Sequence, residues 1–360
     1  MIVRSAHSKG GKVRYSGIES MLDSFYFDAL DAEGKRGYYS VLSALRNGER
    51  ECTIYAQDRQ SAERVWRAVV FDNPDIINYP GLVSLGRAVG DRFSFRLDYG
   101  DVDADRYRDK LDALRGEIED ALPRGADDFE VFEVIYEKLA SKITYAYDVL
   151  NEYRRIPDDE ESTANFLVRN CKVFTAYGAL IDSHAVCQGI AKLYKILCDG
   201  FGLQCAVADA YSGTVIPEGR SPDHMLNVVE ADGRRAFVDV TMGLSEGRMV
   251  RYDSFMVSYA QLNRTFSVLV DFGCDHADMD WFSRRGLVFD DLGKLRRYIT
   301  EHIAEDRELR LRYDGGIPDD ELNEIVLEMG QSSCPEWQRF ELFTPQGGCC
   351  NGIFKDDTEE

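Results

Sequence analysis

HAVCQGIAKLYKILCDGFGLQC, residues 184–205, presents one of the nine cysteines of this chain at the start of a helical pattern. The apolar residues of the pattern recur at helical spacing: Val186, Ile190, Leu193 and Leu197. They predict a core helix over about residues 185–199, stopped by the Asp-Gly pair at 199–200. Cys187 lies beside this stripe in the first turn, where unpaired N–H groups and the helix dipole favour a thiolate. The plain alternative is a buried core cysteine.

The segment that follows, HMLNVVEADGRRAFVDV at 224–240, contains an Asp-Gly pair at 232–233 between two apolar-rich segments. This pattern predicts a β-hairpin with a two-residue turn. In that register Leu226 faces Asp239, and His224 and Asp239 share one face with Cα atoms ~7–8 Å apart. A change of one residue in the loop would place them on opposite faces. The register therefore decides whether an imidazole–carboxylate pair can form.

A cysteine at a helix N-terminus followed by a His–Asp pair supplies the parts of a nucleophilic site. Cys187 would be the nucleophile, His224 the base, and Asp239 the carboxylate that orients the base. Taken singly, a strand histidine is more often a surface residue or a satisfied core residue, and an aspartate at a strand end is usually solvated. The combination and its order favour the catalytic interpretation.

Three stretches, VCQGIAKLYKILCDGFGLQC, DHMLNVV and AFVDVTMG, resemble the core of the transglutaminase-like superfamily. FEVIYEKLASKITYAYD at 132–148 is similar to the segment that precedes this core in bacterial members, and the resemblance covers about residues 125–290. It implies an α+β, papain-like core in which a helix-borne cysteine packs on an antiparallel sheet. It also implies the catalytic triad Cys187, His224 and Asp239.

The sequence departs from the family pattern at two positions near the predicted site. Ile190 stands where a tyrosine often follows the nucleophile, and Leu226 replaces a tryptophan common after the histidine. Tyr177, in the TAYGAL stretch before the nucleophile, is a candidate oxyanion donor, although a buried structural tyrosine fits equally well. Gly189 is expected to leave space beside the sulfur for a substrate backbone.

The resemblance implies a cysteine-dependent acyl-transfer enzyme that acts on protein or peptide amides. Because water is always present, we expect hydrolysis, of the protease or amidase kind, in preference to crosslinking. Two alternatives stay open at this point: a protein-glutamine transglutaminase, and a non-catalytic interaction module that retains the fold. Amine incorporation into a glutamine-containing peptide separates crosslinking from hydrolysis.

The formal net charge of −21 disfavours nucleic acid or an anionic membrane surface as a partner and is compatible with a basic peptide. The first residues lack the apolar segment of a secretory signal, and no run approaches the ~18 apolar residues of a membrane span. The odd number of cysteines suggests no disulfide framework, and the pairs at 274–276 and 349–350 lack zinc-site spacing. We therefore expect a cytoplasmic protein without metal or cofactor.

Periodicity predicts three parts in the chain. Residues 1–100 are expected to form an N-terminal α/β lobe, 101–280 the transglutaminase-like catalytic core, and 281–360 a C-terminal α/β lobe. Predicted helices lie at 18–46, 62–74, 103–121, 128–142, 290–304 and 318–329, and predicted strands at 52–56, 92–100, 204–211 and 308–313.

Overall fold

The computed structural model describes residues 22–81, 84–157, 159–218, 221–246, 249–302, 308–333, 339–342 and 349–355. Its helices are α1 Phe25–Asp28, α2 Ala32–Arg46, α3 Arg59–Asp72, α4 Ala104–Ala121, α5 Asp128–Lys142, α6 Tyr147–Tyr153, α7 Glu160–Arg169, α8 Cys187–Gly200, α9 Val240–Gly243, α10 Tyr259–Leu262, α11 Trp281–Arg285, α12 Leu292–His302 and α13 Asp319–Ser333. Its strands are β1 Glu51–Tyr55, β2 Ser84–Val89, β3 Arg92–Arg96, β4 Thr144–Tyr145, β5 His184–Ala185, β6 Gln204–Ser212, β7 His224–Ala231, β8 Arg234–Val238, β9 Phe255–Val257, β10 Phe266–Val268, β11 Val288–Phe289, β12 Glu308–Tyr313, β13 Arg339–Leu342 and β14 Cys349–Lys355.

The central feature is a five-stranded sheet in the order β10-β6-β7-β8-β9, in which every neighbouring pair is antiparallel. The β7–β8 hairpin turns at Asp232 and Gly233, which have φ values of 52° and 68°. Two successive positive φ values are what a tight hairpin turn of this hand requires. The sheet and the helix packed on it confirm the α+β class predicted from the sequence.

Helix α8 is buried on all sides from Cys187 to Cys198, as expected of a helix at the centre of a fold. Its apolar stripe joins one large cluster with α5, in which Leu193, Leu197 and Phe132 are each 0% exposed. Burial of such a side chain contributes about 1.5–3 kcal/mol. This face therefore fixes the helix, and with it the position of its first residue, against the core.

The N-terminal part contains α1 to α3 and the three-stranded sheet β1-β3-β2. The single helix predicted over 18–46 is wrong within the described residues, since α1 and α2 are separate. The Asp31 side chain accepts a hydrogen bond from the Gly34 N–H at 2.7 Å and so begins α2 anew. Residues 18–21 of that prediction lie outside the described ranges.

The C-terminal part contains α12, α13 and a four-stranded sheet in the order β11-β12-β14-β13. The predicted helices at 290–304 and 318–329 correspond to α12 and α13, while β14 was not anticipated. The lobe and core boundaries at 101 and 281 stay predictions. No helix among the described residues is both long and apolar enough to cross a membrane.

Candidate active site

Cys187 is the first residue of α8, which begins two residues after the predicted start at about residue 185. The two residues of β5 deliver the chain to it, and Val186 precedes it in extended conformation with φ −89° and ψ 171°. Val186 offers no side-chain cap, so the first-turn N–H groups are not satisfied from that position. The helix end consequently places partial positive charge beside the sulfur.

The hairpin register that the sequence predicted is confirmed by the pairing of Asn227 with Val238 and of Ala231 with Arg234. The ladder stops after Val238, however, so the expected facing pair of Leu226 and Asp239 does not form. The reason is local: Asp239 leaves the strand and becomes the N-cap of α9. Its side chain nevertheless lies on the side of the hairpin where His224 lies.

His224 and Asp239 are in direct hydrogen-bond contact. The distance from His224 Nε2 to Asp239 Oδ2 is 2.6 Å, and the two side chains are 9% and 1% exposed. Asp239 Oδ1 also accepts from the Met242 N–H at 3.3 Å, and the Asp239 N–H donates to the Ser254 carbonyl at 2.9 Å. Asp239 is thus held at both carboxylate oxygens and at its backbone N–H, and this fixes the imidazole that it contacts.

Cys187 lies on the other side of this pair, where its thiol interacts with the charge and side chain of His224. Because Nε2 is engaged by Asp239, the ring nitrogen left for the sulfur is Nδ1. The Met225 backbone also favours the ionised form of the thiol. The structure therefore brings the three predicted residues together in the order sulfur, imidazole, carboxylate.

The charges of this site favour a thiolate and an imidazolium. Burial opposes ionisation of the thiol, but the charge of His224 and its hydrogen bond outweigh burial and lower the pKa of Cys187. Burial also opposes protonation of His224, yet the charges of Asp239 and Cys187 raise the pKa of that imidazole well above its usual value. Each shift favours the charged form of its own group.

Phe266 is a site residue that the sequence interpretation missed. Its ring stacks on the His224 imidazole with centroids 4.2 Å apart and planes 8° from parallel. It comes from β10, which pairs with β6 and not with the hairpin that contains His224. An aromatic face against an imidazolium fixes the ring plane and stabilises the positive charge. Phe266 provides an aromatic contact to the histidine although Leu226 replaces the expected tryptophan.

Tyr145, and not Tyr177, is the tyrosine that the structure brings to the nucleophile. Burial and then the charge of Cys187 raise the pKa of Tyr145, whose phenol also interacts with the Cys187 backbone. The Tyr177 hydroxyl instead accepts from the Asp103 N–H at 3.4 Å. The candidate oxyanion role given to Tyr177 is corrected accordingly. Tyr145 reaches the site because β4 pairs with β5 directly before α8.

Gly189 does not leave space for a substrate, contrary to the expectation from the sequence. A Cβ at this position would lie 2.7 Å from the Thr175 carbonyl oxygen and 2.8 Å from that of Val173. These distances are shorter than real Cβ contacts, so the glycine is required for close packing of α8 on the preceding segment. The substrate path must lie on another side of the sulfur.

Comparison with known proteins finds partial similarity to solved structures. A structure described as a TGase is 15% identical, with 45% of this chain and 44% of that chain covered at a TM-score of 0.31. A proposed protease from Parabacteroides distasonis is 9% identical, with coverages of 44% and 36% and a TM-score of 0.24. A proposed cysteine protease from Cytophaga hutchinsonii is 14% identical, with coverages of 45% and 58% and a TM-score of 0.25.

The chain thus spans less than two thirds of the length of each of these three proteins. No family model matches the chain, and no curated protein does. The descriptions of the three structures agree with the transglutaminase-like resemblance drawn from the sequence. Because the TM-scores are low, the function proposed below rests on the geometry of the site.

The other cysteines of the described ranges lack the features of Cys187. All eight described cysteines are free thiols, and Cys334 lies outside the described residues. Burial raises the pKa of six of them: Cys52, Cys171, Cys198, Cys274, Cys349 and Cys350. The part of the chain that the structure describes holds no group of three or more metal-ligating side chains.

A second histidine–carboxylate pair lies close to Cys187 in sequence but serves another purpose. His184 Nε2 is 3.1 Å from Asp148 Oδ1, with side chains 37% and 73% exposed. An exposed pair of this kind contributes little stability, about 0–1 kcal/mol. It connects β5 to the start of α6 on the surface. His224, which is buried and hydrogen-bonded to Asp239, stays the candidate base.

Proposed function

We propose that this protein is a cysteine-dependent acyl-transfer enzyme that hydrolyses amide bonds of proteins or peptides. The observation that carries the proposal is the buried hydrogen bond between His224 and Asp239, with that imidazole also interacting with Cys187 at the first residue of α8. Its charge pattern is the one that activates a thiol nucleophile. The fold, with a helix-borne cysteine on an antiparallel sheet, supports it.

In the proposed reaction the Cys187 thiolate attacks the substrate carbonyl carbon and forms a tetrahedral intermediate. The oxyanion develops beside the Cys187 N–H, and the hydroxyl of Tyr145, which interacts with Cys187, is the second candidate donor. The His224 imidazolium gives its proton to the leaving nitrogen as the carbon–nitrogen bond breaks. A thioester and a free amine result.

Water then replaces the amine. His224, now neutral, accepts a proton from water while the oxygen attacks the thioester carbonyl, and collapse of the second intermediate expels the thiolate. The net change is amide plus water to carboxylic acid plus amine. Asp239 keeps His224 oriented throughout and stabilises its charge in both halves of the cycle.

The test is turnover of a peptide mixture in water enriched in ¹⁸O, with and without an added primary amine. Hydrolysis places the heavy oxygen in the new carboxyl group, and Cys187→Ser abolishes the reaction while the matched Cys52→Ser leaves it intact. Cys52 is a suitable control because it is a buried thiol of β1. Amine incorporation in place of oxygen would identify a transglutaminase, and no turnover of any peptide would favour a non-catalytic module.

A further inference from the structure

Tyr147 is an exposed aromatic residue one ring away from the nucleophile. Its side chain is 56% exposed, and its ring centroid is 4.8 Å from that of Tyr145. Tyr145, in turn, pairs with Ala185 two residues before Cys187 and interacts with that cysteine. An exposed tyrosine at this position offers an aromatic face to a ligand beside the site. Tyr147 therefore forms part of the rim of the site.

A carboxylate is attached to the edge of this exposed ring. The Tyr147 hydroxyl donates to Glu246 Oε1 at 3.2 Å. Glu246 is exposed and has φ 47°, a left-handed conformation that a glutamate adopts only when its surroundings hold it there. The adjacent Ser245 N–H donates to the Ala140 carbonyl at 2.9 Å, which anchors the loop to the end of α5. The carboxylate is thus held at the rim by the fold.

The same loop is tied to the catalytic residues. Glu246 follows α9, the short helix whose N-cap is Asp239. Burial and then Glu246 raise the pKa of the Tyr147 phenol, and Arg251 lowers it by a smaller effect. Glu246 is the charged group that contacts the ring directly, through the Tyr147 hydroxyl.

We propose that Tyr147 and Glu246 form a subsite for a cationic side chain of the substrate, lysine or arginine, next to the scissile carbonyl. The ring offers its π-face and the carboxylate an opposite charge, and the two together suit an ammonium or guanidinium group. This inference rests on the proposed function, since it places the subsite relative to the acylated cysteine. It gives the acidic enzyme a basic peptide as its substrate.

The experiment measures the rate at which Cys187 reacts with three methanethiosulfonate reagents of similar size, one cationic (trimethylammonium), one neutral and one anionic (sulfonate). Each transfers its thioalkyl group to the thiolate and releases methanesulfinate, so no turnover is needed. The rate with the neutral reagent reports on folding and on the nucleophile itself. The ratio of cationic to neutral rates reports on the subsite.

The ratio is expected to fall about 5- to 30-fold in the Glu246→Gln, Tyr147→Leu double variant, from the worth of one exposed cation–π contact and one ion pair. Tyr147→Phe, which keeps the ring, retains part of the preference. Glu321→Gln removes the same charge from an exposed position of α13 and serves as the matched control.

An unchanged ratio in the double variant, or an equal fall in the control, overturns the subsite and assigns the preference to the net charge of the protein. Failure of the proposed function is a different result. In that case no peptide is turned over, while the cationic preference of Cys187 and its loss in the double variant are still observed.

Discussion

Replacement of Asp239 by asparagine separates the electrostatic role of this carboxylate from its structural one. Asp239 Oδ1 caps α9 by accepting from the Met242 N–H, and asparagine is as good an N-cap as aspartate. The side chains are also of nearly equal volume. Asp239→Asn should therefore preserve the cap of α9 while removing the charge that faces His224.

The size of the effect follows from the contact that is lost. The bond between His224 Nε2 and Asp239 Oδ2 is 2.6 Å long and joins a charged pair in a site where Asp239 is 1% exposed. A hydrogen bond to a charged group contributes about 1.5–3 kcal/mol, which corresponds to about 1–2 units in the pKa of His224. The pKa of that imidazole should fall by this amount.

Cys187 experiences two opposite consequences. The charge of Asp239 raises the pKa of the thiol directly, so its removal favours the thiolate, but loss of charge on His224 disfavours it. The influence of His224 on the pKa of Cys187 is larger than that of Asp239. The imidazole effect wins, and the alkylation rate of Cys187 near neutral pH should fall about 10- to 100-fold.

The assay is brief iodoacetamide treatment across a range of pH, followed by mass-spectrometric quantification of the peptide that contains Cys187. In the wild type the rate should persist well below the usual pKa of a thiol, and in Asp239→Asn it should shift to higher pH. Asp148→Asn, which disrupts the exposed His184 pair, is the matched control. An unchanged or faster rate in Asp239→Asn would show that the charge of Asp239 does not favour the Cys187 thiolate through His224. Asp239 would then act only as the N-cap of α9.

Three further predictions concern single positions. Tyr145→Phe should lower kcat about 100-fold with little change in KM, because an oxyanion donor is lost; a rise in kcat in steady-state kinetics would show that the hydroxyl blocks the site. Burial raises the pKa of Asp72 to about 7, so the folded state holds this proton more tightly than the unfolded chain does. That stability is complete below about pH 4 and is lost as the pH rises through 7, by about 4 kcal/mol. Asp72→Asn should flatten the fall in Tm between about pH 4 and 7, and equal falls in the two proteins would contradict it. Gly189→Ala should lower the free energy of unfolding by about 1–3 kcal/mol in a denaturant titration, because its Cβ would meet backbone carbonyls that cannot rotate away. An unchanged midpoint would show that the segment that contains these carbonyls can move to accept the Cβ.

The parts of the site that could be predicted from the sequence are those encoded within one continuous segment. The start of α8 at Cys187 follows from an apolar stripe and a glycine stop within 14 residues. The hairpin register follows from an Asp-Gly pair, whose two positive φ values fix which residues face each other. The departure of Asp239 from the ladder was missed because helix capping and strand pairing compete for the same residue.

The residues that were missed reach the site through pairings that are distant in sequence. Tyr145 arrives by the parallel pairing of two-residue strands 40 positions apart, as in Thr144 with His184. Phe266 arrives by pairing of β10 with β6, at the edge of the sheet. Strands of two and three residues carry almost no periodicity, so neither pairing could be read from the sequence pattern. Tyr177 was chosen for the same reason: it lies close to Cys187 in sequence, and closeness in sequence does not establish closeness in space.

Polar residues of α8 connect the N-terminal part of the chain to the helix that holds Cys187. By helical spacing Gln188, Lys192 and Lys195 form one stripe, opposite the apolar one, and would face solvent if the core stood alone. They are instead buried, and Gln188 Nε2 donates to the Pro80 carbonyl at 2.6 Å. Burial lowers the pKa of Lys192 to about 8 because it disfavours the charged ammonium group, which an exposed lysine keeps in water. The N-terminal part of the chain therefore meets α8 in part through polar groups. Because Gln188 directly follows Cys187, its hydrogen bond ties the segment at Pro80 to the first turn of α8.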